Sequence, residues 1–315
     1  MLNVAFVVFE GFESMALATV SVFAYANKTA EEPVYDVAFL SEHGGLVHSF
    51  SGLTISTQAF DTAAYDTVIV VGVESVDAPV SSDVLAFLRN SRQRSRRTAS
   101  LCSGALVLAR AGLLDGRHVT THWAFAQALR RGFPEVSVDD DRIFVVDGPI
   151  WTSAGATAGI DLVLAMVEQD LGEDVARSVA RKLVVYHRRA GGQSQHSALL
   201  ELQGKSDRIQ TALRFARENL AAPLCVERLA EVAHLSPRQF SRAFRTETGQ
   251  TPAKAIENLR LESARLMMER SRHTVDQVAT QTGFGDHRRM RKAFIRAYGQ
   301  PPQAVRRNAR LREPA

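Results

Sequence analysis

The sequence predicts two folded units: an α/β unit built on a parallel sheet with helices on both faces, then an all-α unit carrying two helix-turn-helix motifs. Three observations predict this. The chain has 315 residues, which at roughly 100 to 200 residues per domain suggests two domains. Short β-branched runs alternate with helix-length amphipathic segments in the first part, whereas beyond Asp207 only helical periods broken by turn signals remain. Charge divides in the same way. Residues 1–205 hold 17 Lys and Arg against 23 Asp and Glu, a formal −6, and residues 206–315 hold 21 against 11, a formal +10.

Taken in order, strands are expected at Val4 to Phe9, Val34 to Leu40, Thr67 to Val71, Thr98 to Leu101 and Ile143 to Val146, as in a series of βαβ units. A helical run from Val175 to Arg189 closes the first unit, residues 1–189. The small, polar stretch Gly191-Gly192-Gln193-Ser194-Gln195-His196-Ser197 then marks a linker over residues 190–206, and residues 207–312 form the second unit.

Composition narrows the function. Hydrophobic residues make up 45% and charged residues 23%, enough apolar material for packed cores. No apolar run approaches the roughly 20 residues that cross a bilayer, and a strand starts almost at once, so a cytoplasmic protein is expected. Cys102 and Cys225 are the two cysteines, which argues against a disulfide framework and against zinc modules. No metal and no cofactor is expected. The basic last third is suited to a polyanion, through phosphate contacts and counterion release.

The tail repeats itself. Phe240, Phe244, Gly249 and Pro252 recur fifty positions later as Met290, Phe294, Gly299 and Pro302, while Val226, Leu229 and Ala230 recur forty-nine later as Val275, Val278 and Ala279. Each copy reads as helix, turn, helix: Val226 to Ala233 then Pro237 to Thr246, and Val275 to Thr282 then Asp286 to Ala297. Ser236-Pro237 supplies an N-cap and a first-turn proline, and Gly283 and Gly285 permit a tighter turn in the second copy. On a helical wheel, Phe240, Ala243 and Phe244 share one face, with Arg238, Ser241, Arg242 and Arg245 opposite. In the second copy Met290, Ala293, Phe294 and Ala297 face inward, and Arg288, Arg291, Lys292 and Ile295 face outward. A recognition helix in a major groove needs this division, an apolar back and long donors in front. Arg238, Arg242, Arg288 and Lys292 are the expected base readers.

These motifs, together with Leu235-Ser236-Pro237-Arg238, Arg260-Leu261 and Gly283-Phe284-Gly285, resemble the AraC/XylS family of transcription regulators over about 100 residues. The resemblance implies two recognition helices held by a rigid central helix, here about Pro252 to Glu269, and entering adjacent major grooves of double-stranded DNA. Asp286-His287 departs from the small or acidic residues many relatives carry there.

In the first unit, Thr98-Ala99-Ser100-Leu101-Cys102-Ser103-Gly104-Ala105 runs from strand into helix, with a cysteine at the junction. Such an elbow lifts its side chain above the sheet, and a helix amino terminus favours a thiolate. His122, in Thr121-His122-Trp123, follows another strand and could serve as a base. Asn3 to about Arg189 resembles the ThiJ/PfpI branch of the class I glutamine amidotransferase-like fold, a flavodoxin-like parallel-sheet sandwich, through Phe9-Glu10-Gly11-Phe12, Gly72, Cys102-Ser103-Gly104-Ala105, Gly112 to Arg117 and Trp151 to Gly155. Fused to an AraC-type tail, with the junction Arg188-Arg189-Ala190-Gly191-Gly192-Gln193-Ser194-Gln195, this is the architecture of GlxA-like regulators.

The resemblance also implies an acidic residue that bonds the elbow cysteine; Ala16 stands at its position, and Val73-Glu74 replaces the usual small pair after Gly72. The expected protein is therefore not an enzyme. A small-molecule effector is expected among Gly72, Cys102, Ser103, His122, Trp123 and Thr152, at the carboxyl ends of the strands; Trp123 beside acidic surface makes a cationic effector one candidate. Homodimerisation through the first unit is implied by resemblance, and RNA polymerase is a further candidate partner. The alternative is a cysteine-dependent hydrolase or amidotransferase-like enzyme with a DNA-binding tail, which would require a reactive Cys102.

Overall fold

The computed structural model describes residues 1–73, 75, 78–185, 189, 191, 195, 204, 206–270, 273–298 and 300–310. Glu74, Arg188, Gly299 and most of the 190–206 segment lie outside the described residues. The chain divides into two compact units, Met1–Gln195 and His196–Ala315.

Ten strands are described in the first unit: β1 (Leu2–Val7), β2 (Tyr35–Ser41), β3 (His43–His48), β4 (Thr54–Ala59), β5 (Thr67–Val70), β6 (Arg97–Leu101), β7 (His118–Val119), β8 (Ser137–Val138), β9 (Phe144–Asp147) and β10 (Ile150–Ser153). Its helices are α1 (Val20–Ala30), α2 (Ser82–Arg92), α3 (Gly104–Arg110), α4 (Trp123–Gly132), α5 (Ala156–Leu171) and α6 (Glu173–Lys182), with a 3-10 turn at Ser14–Thr19. Eight strands form one sheet in the order β3-β4-β2-β1-β5-β6-β10-β9. The sheet is parallel from β4 to β10 and antiparallel at both edges, β3 against β4 and β9 against β10. The sequence predicts a parallel sheet, and the structure has one, with an antiparallel strand added at each edge. The edges differ because each joins its neighbour by a short turn, Gly148 with φ +58° at β9–β10, and a tight turn can link only antiparallel strands.

Alternation along β1 covers both faces. Val4, Phe6 and Val8 pack with Ile69, Leu101 and the α1, α5 and α6 residues Phe23, Leu162 and Val179; Ala5 and Val7 pack with Val68, Val70, Leu88 and Leu108 of β5, α2 and α3. Helix α6 ends at Lys182, short of the expected Arg189. The β-branched pair Val184-Val185 turns out of the helix, Val184 at φ +55°, and the Val185 N–H closes back on the Ala180 carbonyl at 2.9 Å.

The amino end of β6 is tied to α5 by a buried ion network. Arg97 pairs with Asp170, donates to Thr67 Oγ1 at 3.1 Å and lies over the Trp151 ring at 5.5 Å. Arg96 pairs with the other Asp170 oxygen at 2.8 Å, and the Tyr35 hydroxyl donates to Asp170 at 2.9 Å. Burial, and then the Asp170 charge, hold that hydroxyl far above its usual range, so it stays a donor.

The second unit is helical throughout its described residues: α7 (Asp207–Glu218), α8 (Val226–Val232), α9 (Pro237–Thr248), α10 (Pro252–Arg270), α11 (Val275–Gln281), α12 (His287–Tyr298) and α13 (Pro302–Arg310). The repeat read in the sequence reappears in the hydrogen bonds. Leu235 N–H to Ala230 O and Phe284 N–H to Ala279 O are both 2.9 Å, forty-nine positions apart, and His234 to Glu231 is matched by Gly283 to Thr280. Helix α10 has 19 residues, about 28 Å at 1.5 Å per residue. Its first half gives Ala255, Ile256 and Leu259 to a core with Phe240 and Phe244; its second half gives Leu261, Ala264 and Met268 to a core with Met290 and Phe294. One rod therefore runs through both motifs.

Candidate nucleic-acid interface and sensor cleft

The outward faces of α9 and α12 are basic, as the wheels require. Ser236 and Gln239 form a capping box at the start of α9, and Gly249 closes it at φ +73°. Asp286 opens α12 by accepting the Arg289 N–H at 2.8 Å, which holds its carboxyl below the usual range. Phe240, Phe244, Met290 and Phe294 are buried to 1% exposure or less, so each helix is fixed by its back. Arg238, Arg242, Arg245, Arg288, Arg291 and Lys292 are exposed, and Ser241 is half-buried.

Ion pairing sorts the cations further. Arg289 is paired with Asp286, Arg296 with Glu257 and Arg228 with Glu231. The six exposed cations on the two outward faces have no acidic partner among the described residues, so their charge is available to phosphate or base. Ser241, Arg242 and Arg245 come together with Thr246, Thr251 and Pro252 around an open concavity of about 680 Å³; Arg238 is outside its lining.

The relation between the motifs is set at Arg260 and Gly283. Arg260, midway along α10, donates from Nε to Leu220 O at 3.2 Å and from Nη2 to Ala222 O at 2.8 Å. Gly283, at φ +77°, packs so closely that a Cβ there would lie 2.0 Å from Leu220 O and 2.7 Å from Arg260 Nε. The turn of the second motif thus rests on the central helix and on the loop that enters the first. Sequence reasoning read Gly283 as a turn residue and missed this contact.

At the carboxyl end of β6, Cys102 occupies the elbow at φ +55°, with its N–H bonded to Ser153 O at 3.1 Å and its carbonyl accepting from the Thr121 hydroxyl at 2.8 Å. Of the residues expected around a ligand, Gly72, Ser103 and Thr152 have internal tasks. Ser103 Oγ donates to Val73 O at 2.6 Å and accepts from Val73 N at 2.8 Å; a Cβ on Gly72 would meet that oxygen at 2.8 Å; Thr152 Oγ1 accepts the Thr120 N–H at 2.8 Å. His122 caps α4, its Nδ1 accepting from Ala124 N at 3.3 Å, with its ring 5.4 Å from that of Trp123. Trp123 is 54% exposed.

The surroundings of Cys102 work against a thiolate. Burial pushes the thiol up to about 11, a bond from the Ser103 N–H opposes this, and the Glu13 charge adds to it. Ala16 is buried in the 3-10 turn and offers no carboxylate, while the Glu13 carboxylate caps the Met15 N–H at 2.9 Å. At pH 8 about one Cys102 in a thousand is ionised, against roughly a quarter for a free cysteine. From the ionised fractions, alkylation at pH 8 is therefore expected to run about 250-fold slower than for free cysteine and to accelerate up to about pH 11; mass spectrometry of the labelled peptide checks this. The same shift favours the folded state fully below the unfolded thiol's range, and that contribution is lost as pH rises towards 11.

A sheet of this topology with a strand-to-helix elbow, joined to twin basic recognition helices on one rod, defines a DNA-binding transcription regulator with an amidotransferase-like first unit. Comparison with known proteins agrees: residues 2–169 match the DJ-1/PfpI family and residues 229–308 match a helix-turn-helix domain, and the chain belongs to the DJ-1/PfpI family, in its branch of HTH-type transcriptional regulators. It is 30% identical over 312 residues to the HTH-type transcriptional regulator GlxA of Rhizobium meliloti, covering 98% of this chain and 96% of that one. It is also 37% identical over 141 residues to the isonitrile hydratase of Pseudomonas putida, 44% of this chain and 60% of that enzyme. A ThiJ/PfpI family protein from Pseudomonas syringae shares the fold, with TM-score 0.53 at 23% identity over 74% of this chain and 88% of that one. No helix among the described residues is long and apolar enough to cross a membrane.

Proposed function

We propose that residues 207–312 read DNA sequence through Arg238 and Arg242 on α9 and Arg288 and Lys292 on α12, with Ser241, Arg245 and Arg291 holding backbone phosphates. The observation that carries this is the set of exposed cations, without an acidic partner among the described residues, on two helices whose buried faces belong to cores threaded by one helix. Arg242→Ala or Arg288→Ala should weaken a preferred site by roughly 1 to 3 kcal/mol if the residue bonds a base edge. The check is affinity for that site against scrambled duplex; an equal loss on both identifies a phosphate contact instead.

Residues 1–189 serve as the sensor, and a small-molecule effector binds at the carboxyl ends of β6 and β10, against Cys102, His122 and Trp123, above a floor shaped by Gly72, Ser103 and Thr152. Two copies pair through this unit, so that each molecule of the dimer brings one DNA-binding unit to a paired operator and gains through effective concentration. The protein works in the cytoplasm, on DNA, with RNA polymerase as its downstream partner. A metabolite screen by thermal shift and duplex affinity tests the sensor; it fails if no compound moves either.

A hydrolytic second reading draws on the positive φ of Cys102, the backbone form of a nucleophile elbow. The raised thiol and Ala16 favour a binding role. A Cys102→Ser variant that still regulates normally would confirm that no chemistry is needed.

A further inference from the structure

One residue of the polar segment that follows the sensor is held at five points. The Gln195 N–H donates to Asp141 O at 2.6 Å. Its side-chain Nε2 donates to Thr121 O at 2.9 Å and Arg142 O at 3.1 Å, with Thr120 Oγ1 at 3.3 Å, and its Oε1 accepts the Trp123 N–H at 3.0 Å. This chemistry is specific. Two carbonyls ask for an NH2 group and one backbone N–H asks for an oxygen, an arrangement that a primary carboxamide satisfies in one orientation only. A carboxylate would face two carbonyl oxygens, and an ammonium or guanidinium would offer the Trp123 N–H no oxygen.

We infer that the Thr121 and Arg142 carbonyls and the Trp123 N–H form a carboxamide niche, which the chain's own Gln195 fills and which a small molecule bearing a primary carboxamide takes by displacing it. The inference rests on the reading of this cleft as an effector site, and it names the class of effector. The niche adjoins His122 and the exposed Trp123 ring, which receive the rest of such a molecule. Gln195 is the last residue of the first unit, so an effector that displaces it acts at the junction with the DNA-binding unit. Upstream, Arg189 is fixed to the buried Asp161 carboxylate, through its N–H at 2.7 Å and Nε at 2.8 Å. A tethered side chain competes at an effective concentration of order millimolar, so removing it should reveal the niche to a weak ligand.

The test uses the full chain with L-glutamine as probe and L-glutamate as control, following hydrogen exchange at the Trp123 amide. In Gln195→Ala and in Gln195→Glu that amide should exchange about tenfold faster than in the unaltered protein. L-glutamine should restore protection in Gln195→Ala, and L-glutamate should not. Unchanged exchange in Gln195→Ala, no protection by L-glutamine, or equal protection by L-glutamate overturns the niche. Duplex affinity measured on the same samples separates the two readings: a retained preference for one site with a failed niche removes only this inference, whereas no preference in the unaltered protein removes the regulator itself.

Discussion

Gly283→Ala is expected to reduce binding of a two-groove DNA site to the level of a single motif while leaving the α/β unit folded. His234, at the matching place in the first motif, has φ +52° without being glycine, so the left-handed turn alone does not demand glycine. The second motif differs in its neighbour. A methyl at Gly283 would sit 2.0 Å from Leu220 O and within 2.8 Å of the Arg260 guanidinium, and the carbonyl belongs to backbone that cannot step aside cheaply. Left-handed strain of about 1 to 2 kcal/mol adds to overpacking of about 1 to 3 kcal/mol, roughly 2 to 5 kcal/mol against the docked arrangement. Calorimetry should show the helical unit melting earlier, and duplex binding should lose its second contact region. His234→Gly is the control and should be close to neutral in both measurements.

The second large effect is expected at Asp170. Its side chain is 1% exposed and faces Arg97, itself 3% exposed, and Arg96. Asp170→Ala would leave the Arg97 guanidinium buried without its counter-charge and the Tyr35 hydroxyl without its acceptor. Breaking a buried pair from one side destabilises by about 3 to 5 kcal/mol. Chemical denaturation followed by Trp151, whose ring lies beneath Arg97, should show that loss. Replacing both partners, with Arg97→Met and Asp170→Leu, should recover a large part of it, because no buried orphan charge remains and the half-exposed Arg96 is left to solvent.

Most of the architecture was legible because it rests on periodicity. The β-branched runs at Val4, Val34, Thr67 and Thr98 became strands, and the duplicated Phe240 and Phe294 patterns became matching helices, since burial of alternate or helical-period side chains is a local property of sequence. The edge strands were not legible. His43–His48 contains two glycines, and the described side chains of Thr54–Ala59 are mostly exposed, so neither shows an apolar alternation; their strand character comes from pairing with neighbours. The same holds for the sites. Cys102 and His122 stood out by residue type and setting, but the inward-turned oxygens of Ser103 and Thr152 depend on tertiary bonds to Val73 and Thr120. Gln195 gave no signal beyond lying in a polar stretch, because the partners of its side chain, the Trp123, Thr121 and Arg142 backbone groups and the Thr120 hydroxyl, are 53 to 75 residues away.

The central claim is that α10 and the Arg260–Gly283 joint hold the two recognition helices at one spacing. It is tested most directly by the affinity of the full chain for a series of duplexes in which the sequences read by α9 and α12 are moved apart by added base pairs. A fixed joint predicts a single best spacing near one helical turn, about 10 base pairs, and a fall of at least tenfold when half a turn is inserted. Equal affinity at every spacing would contradict it.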